Sequence, residues 1–191
     1  FSNHVLDATK SFELILNDVN DVEGMPESLR QLAAQSYNEA QSEDTDASPT
    51  PRQKKNTEAT AEKGPWRFTL DNPSFGPFMQ HCRRSDLREK MYRAFITRAS
   101  TGELDNSPLI TKILTLRQEE AELLGYQNYA EVSLATKMAG TVDKVLEMFE
   151  TLRKASWTSG QKDLDEVTAL ARKNGVTEKL MHWDVPFWAE R

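Results

Sequence analysis

The amino-acid sequence predicts a mostly α fold with a small two-stranded β element and a disordered insertion. Three observations predict it. Beyond Leu70 the apolar residues recur at helical spacing throughout. Two short segments, Phe12–Leu16 and Trp66–Leu70, instead alternate. Between them, Ser42–Gly64 contains no large apolar side chain at all.

Ser2–Lys10 reads as the end of a helix. In the first alternating segment Phe12, Leu14 and Leu16 share a face. In the second the shared face is Trp66, Phe68 and Leu70. The two are expected to pair as an antiparallel ladder. Pro26 is suited to open a helix, because its missing N–H needs no partner there. That helix is expected to reach about Gln41. Ser42–Gly64 cannot bury enough surface to offset its ordering entropy, so a flexible polar insertion is expected. The chain thus divides into 1–41 (helix, strand, helix), 42–64 (insertion) and 65–191 (strand, then helices).

Pro73 opens a short helix through His81. Ser85 is placed to cap the next, with Leu87, Met91, Ala94 and Phe95 as its apolar stripe and Thr101-Gly102 at its end. Asn106 or Ser107, ahead of Pro108, starts a third helix. Its expected buried face is Ile110, Ile113, Leu114, Ala121 and Leu124, with Gly125 just past its end. Thr141 caps the longest helix, ~45–50 Å at 1.5 Å per residue. Val142, Val145, Phe149, Leu152, Leu164, Val167 and Ala171 form its stripe, and Gly175 follows it. Ser156 and Gly160 lie on the same stripe and suit a close helix crossing or a kink.

Charge excludes some functions. Acidic residues outnumber basic ones 30 to 24, for a net charge of −6. Nucleic-acid binding needs the opposite sign to displace phosphate counterions. No apolar run approaches the ~20 residues that span a bilayer, so no membrane insertion is expected. From Phe1 onward no basic n-region followed by an apolar h-region is visible. The single cysteine, Cys82, has no internal disulfide partner.

Candidates for chemistry are sparse. His4, His81 and His182 are far apart, and none stands four residues from another as a helical zinc site requires. Each reads as structural or surface. There is no G-x-S-x-G elbow. Cys82 lies beside Arg83 and Arg84, which would favour thiolate, but a partly buried, unreactive thiol is the simpler reading. Glu119-Glu120 and Asp163-Asp165 read as solvated helix faces. The one local asymmetry runs from Arg83 to Arg98, where six basic residues (Arg83, Arg84, Arg88, Lys90, Arg93, Arg98) meet two acidic ones (Asp86, Glu89). Its functional reading is an anion site. Its plainer reading is a helix whose arginines pair with acidic neighbours. No catalytic, cofactor-binding or metal-ligating residue is therefore assigned within the chain.

A series of blocks carries more information than any single residue. Asn3–Thr9 precedes Glu23-Gly24-Met25-Pro26. Thr69-Leu70-Asp71-Asn72-Pro73-Ser74-Phe75 is followed by Leu87–Phe95 and by Thr97-Arg98-Ala99-Ser100. Then come Leu123–Ala139 and the ending, His182–Arg191. In this order they resemble the thimet oligopeptidase / oligopeptidase A family of zinc endopeptidases. Only Ser42 to about Lys63 falls outside the resemblance.

The resemblance implies a large two-lobed metallopeptidase that cuts short peptides in a narrow channel, with one zinc ion and a monomeric state. This chain would be part of the helical lobe walling that channel. The family's H-E-x-x-H does not occur here. Zinc ligands and catalytic residues are expected downstream of Arg191, and the chain alone is expected to be inactive. Both ends read as cut, with Trp183, Phe187 and Trp188 packing on material beyond the chain. An intracellular location follows, in the cytosol, or in the mitochondrion or chloroplast if a transit peptide precedes Phe1. The rival reading is a non-catalytic helical module that binds peptides or proteins.

Overall fold

Apolar alternation does build a ladder in the computed structural model, which describes residues 1–46 and 58–191. Strand β1 (Leu14–Leu16) pairs antiparallel with β2 (Trp66–Phe68), Leu14 opposite Phe68 and Leu16 opposite Trp66. Leu16, Trp66, Phe68 and Leu70 are buried, while Ile15 points outward. The face assignment is therefore as predicted.

The ladder is short, so helices must cover it. Helix α1 (Ser2–Ser11) precedes β1. Helix α2 (Glu27–Asp46) starts after Pro26, whose carbonyl accepts from Leu29 and Arg30. It lays Leu29, Ala33 and Ala34 on the core. Helices α3 (Asn72–His81) and α4 (Ser85–Ile96) complete that core with Phe78, Met79, Leu87 and Met91. Phe78 meets Phe68 edge to face, 4.8 Å between centroids, the arrangement that ring quadrupoles favour.

The expected insertion, Ser42–Gly64, has its middle, residues 47–57, outside the described residues. Its flanks belong to the fold. One extends α2 to Asp46. The other buries Ala59 and Ala61. Asn38 on α2 clamps the Ala59 backbone through both its amide atoms, each at 3.0 Å. Arg30 donates to the Ala61 carbonyl, and the Trp66 indole donates to the Thr60 carbonyl. Two alanines and backbone polar groups suffice here. A search for large apolar side chains does not see them.

The Glu23-Gly24-Met25-Pro26 turn requires its glycine. Gly24 has φ +83°, and a β-carbon there would stand 2.8 Å from Arg83 Nε. The left-handed conformation disfavours a side chain, whereas the exposed Arg83 side chain can move aside.

After α4 the chain changes character. Helix α5 (Ser107–Leu123), the short α6 (Tyr129–Leu134) and α7 (Val142–Lys173) follow in series. The Thr141 hydroxyl caps α7, accepting from the Lys144 N–H, and Gly125 and Gly175 take left-handed conformations past α5 and α7 as expected. Helix α8 (Val185–Ala189) then returns to α3.

Three expectations need correction. The face predicted buried on α5 is not: only Ala121 is covered, while Ile110, Ile113, Leu114 and Leu124 are exposed. Along α7 only Ala171 is buried, and Phe149, Leu152 and Leu164 face solvent. The periodicity marked a face able to be buried, but among the described residues most of it is left uncovered. The aromatic ending behaves in the opposite way. Trp183 and Phe187 are buried within the chain itself, against α3 and α4. A smaller correction concerns Ser85. It is the first residue of α4, and its hydroxyl donates to Asp184 instead of capping the helix. Helix α4 also ends earlier than predicted, at Ile96.

Candidate functional site

Helix α4 carries Arg88, Lys90 and Arg93 of the basic run, Arg83, Arg84 and Arg98 flank it, and the structure assigns a partner to most of the six. Arg83 meets Glu23 at 2.5 Å. Arg84 bridges Asp21 and Asp86 at 2.6 and 2.7 Å. Hydrogen bonding to Arg84 holds the Asp86 carboxyl below its ordinary value, and the same contact raises Arg84. Arg93 pairs with Glu89 one turn away and lies over the Trp183 ring. Arg98 donates to the Phe95 carbonyl and the Thr9 hydroxyl, and covers the Phe95 ring. Arg83, Arg84 and Arg93 thus pair with acidic neighbours, as in the plainer reading, whereas Arg98 is held by a carbonyl and a hydroxyl.

Arg88 is different from the rest. It is buried, and four of its guanidinium N–H groups are engaged. Nη2 donates to Asp184 Oδ1 at 2.5 Å, Nη1 to the Cys82 and Arg83 carbonyls, and Nε to the Trp183 carbonyl. The group lies 4.3 Å from the centroid of Phe187. Asp184 is equally occupied. Oδ1 also accepts from the Ser85 hydroxyl, and Oδ2 accepts from the Met181 N–H. Burying two charges is costly unless every donor and acceptor is matched. Here the planar fork of arginine reaches four acceptors at once, which a lysine ammonium on a flexible stem does not. The result is a pin. It fixes the ending, Met181–Arg191, to the junction of α3 and α4.

Residue-type reasoning missed this pair. Arg88 is one turn from Met91 on the apolar side of α4, and an arginine there is the available signal. Nothing in the sequence places its partner 96 residues away.

The other candidates fall in separate places. Cys82 is fully buried at the end of α3, and burial pushes its thiol up to about 11 despite the arginines nearby. It is the unreactive thiol of the simpler reading. Of the histidines, His182 stacks loosely on Tyr92 with centroids 6.2 Å apart, and His4 and His81 lie on α1 and α3. Glu119, Glu120, Asp163 and Asp165 are exposed on α5 and α7. Arg191 covers the Phe187 ring and donates to the Phe187 carbonyl; burial, then the charges of Arg88 and Arg83, lower its pKa.

Two open depressions stand out among the described residues. One, about 590 Å³, is lined by Asp18, Glu62, Lys63 and Trp66. The other, about 520 Å³, is lined by Ser11, Phe12, Arg98 and Glu103. Neither contains a histidine or a cysteine. Among the described residues no group of three His, Cys, Asp or Glu side chains could hold a metal ion. The described residues therefore do not fit a zinc site.

Residues 78–191, from α3 to the last residue, match the model of peptidase family M3. The chain belongs to that family. Over its full length it is 47% identical to "Probable cytosolic oligopeptidase A" of Arabidopsis thaliana, covering 25% of that protein. It is likewise 47% identical to "Organellar oligopeptidase A, chloroplastic/mitochondrial" of the same plant, covering 22%. To "Oligopeptidase A" of Escherichia coli (strain K12) the identity is 38%, again over the whole chain and 26% of the relative. The chain thus spans about a quarter of the length of the curated relatives it matches.

Proposed function

We propose that this chain is one part of an intracellular oligopeptidase that hydrolyses internal bonds of short peptides. The observation that carries the reading is the full-length match to proteins named oligopeptidase A, on both sides of the insertion. Their names include a cytosolic and an organellar form, which is the basis for an intracellular location. Zinc dependence is part of the proposal, with ligands and catalytic residues outside these 191 residues. The role of this chain is structural: α5 to α7 wall the peptide channel, and the Arg88–Asp184 pin fixes the end of that wall to the core.

The test compares two proteins. One is the product of the complete reading frame that contains this sequence. The other is the 191-residue chain. With a quenched fluorescent peptide, the first is expected to cleave, to lose activity with a chelator and to regain it with zinc. The second is expected to be inactive. Chelator-sensitive cleavage by the 191-residue chain would overturn the assignment of catalytic residues elsewhere. A reading frame that stops at Arg191 would favour the non-catalytic helical module.

A further inference from the structure

Helix α7 presents a band that nothing among the described residues covers. Leu146, Phe149, Leu152, Trp157 and Leu164 are each 44–59% exposed along it. At 100° per residue these side chains fall on one half of the helix surface, with Ser156 and Gly160 at the band's middle. Lys144, Glu147, Lys154, Lys162 and Asp165 occupy the other half. Arg153 and Asp163 also project from the apolar half, and Arg153 is paired with Glu150 through two hydrogen bonds. A β-carbon added at Gly160 would meet nothing within 4 Å. The glycine therefore answers no need within the described residues, and in mid-helix it costs ~1 kcal/mol relative to alanine.

We propose that this band seats another helix of the same, longer polypeptide, which crosses α7 at Ser156 and Gly160. The proposal rests on reading the chain as part of a full-length oligopeptidase. Three features support that occupant. The band keeps helical period over much of the 32 residues of α7, so a rod-shaped partner can follow it. Small residues at its centre, with Phe149, Leu152, Trp157 and Leu164 on either side, provide a groove between ridges. Finally, relatives that match the whole chain are about four times its length. A partner helix in the same polypeptide has a high effective concentration, so it outcompetes a second copy in solution.

The test uses the product of the complete reading frame, with single cysteines introduced by Phe149→Cys, Leu164→Cys and, on the charged side, Thr158→Cys. Maleimide labelling of each is followed by peptide mass. Labelling at positions 149 and 164 is expected at least 10-fold slower than at 158. Equal rates at all three overturn the proposal. Gly160→Leu is expected to lower the melting temperature of the same protein, and Gly160→Ala to lower it less. A Gly160→Leu protein as stable as the parent also overturns it. Protection that appears only as the concentration of the 191-residue chain is raised would assign the band to a second copy instead. Peptide cleavage is read separately. An active protein with fast labelling loses the docking proposal alone. An inactive protein with slow labelling loses the peptidase reading alone.

Discussion

The core and the α5–α7 arm have similar apolar periodicity and opposite fates. Around the ladder, α1 to α4 and the returning α8 bury Trp66, Phe68, Phe78, Met91 and Trp183. Along the arm, Leu114, Leu123, Phe149, Leu152 and Trp157 remain in solvent. The difference lies in topology. The core elements fold back on one another through tight turns at Gly24 and at the α3–α4 junction, so each apolar face meets another. In the arm, each helix runs on from the last, and the covered positions are where a neighbour touches an end, as at Ala121 and Ala171. A hydrophobic stripe specifies that a face can be buried. A second surface has to be present before it is.

The contrast can be tested from its strongest point downward. Arg88→Ala leaves Asp184 buried without its cation, and is expected to cost about 3–5 kcal/mol in urea unfolding. Arg88→Lys should recover only part of that, because one ammonium cannot serve four acceptors. A loss below about 1 kcal/mol would show that the ending is not pinned by this pair. Phe78→Ala, in the same core, is expected to cost about 3–5 kcal/mol through its cavity and the lost contact with Phe68. The matching change on the arm, Phe149→Ala, should fall within about 0.5 kcal/mol in the 191-residue chain, since an exposed ring leaves no cavity. Equal losses at the two phenylalanines would erase the distinction between the regions.

Gly24→Ala tests the turn that leads into α2. Its left-handed backbone predicts a loss of about 1–3 kcal/mol. Cys82 gives a pH-dependent reading of the core alone. Its folded pKa is raised, so the folded state keeps a proton that the unfolded chain gives up. Stability from this group is complete below the unfolded value near 9 and falls as pH rises towards about 11. Unfolding at pH 8 and pH 10 should differ by about 1–2 kcal/mol more in the native chain than in Cys82→Ala. An unchanged difference would place the thiol in water. The smallest effect is expected at Glu23→Gln, whose partner Arg83 is largely solvated: about 0–1 kcal/mol, diminishing with salt.

Much of the core was legible in the sequence because its signals are local. Alternation at Phe12–Leu16 and Trp66–Leu70 set both strands and their inward faces. Pro73 and Thr141 marked helix starts, and Gly125 and Gly175 marked ends. The family was legible too, since ordered blocks keep their residue types wherever they pack. The paired state of the basic run was one of two open readings, and only coordinates could assign Glu23, Asp21 and Glu89 to their arginines. The ordered flank at Ala59–Ala61 was not legible, because its burial depends on an asparagine clamp 21 residues away.

By itself the sequence determined element type, several helix starts and membership of a peptidase family, all of which follow from spacing and residue order along one chain. Tertiary structure decided which apolar faces are covered. It returned Trp183 and Phe187 to the core, tied Arg88 to Asp184 and left α7 uncovered. The physical reason is that burial belongs to pairs of surfaces. A stripe carries half of that information, and the other half lies on whatever segment the fold brings against it.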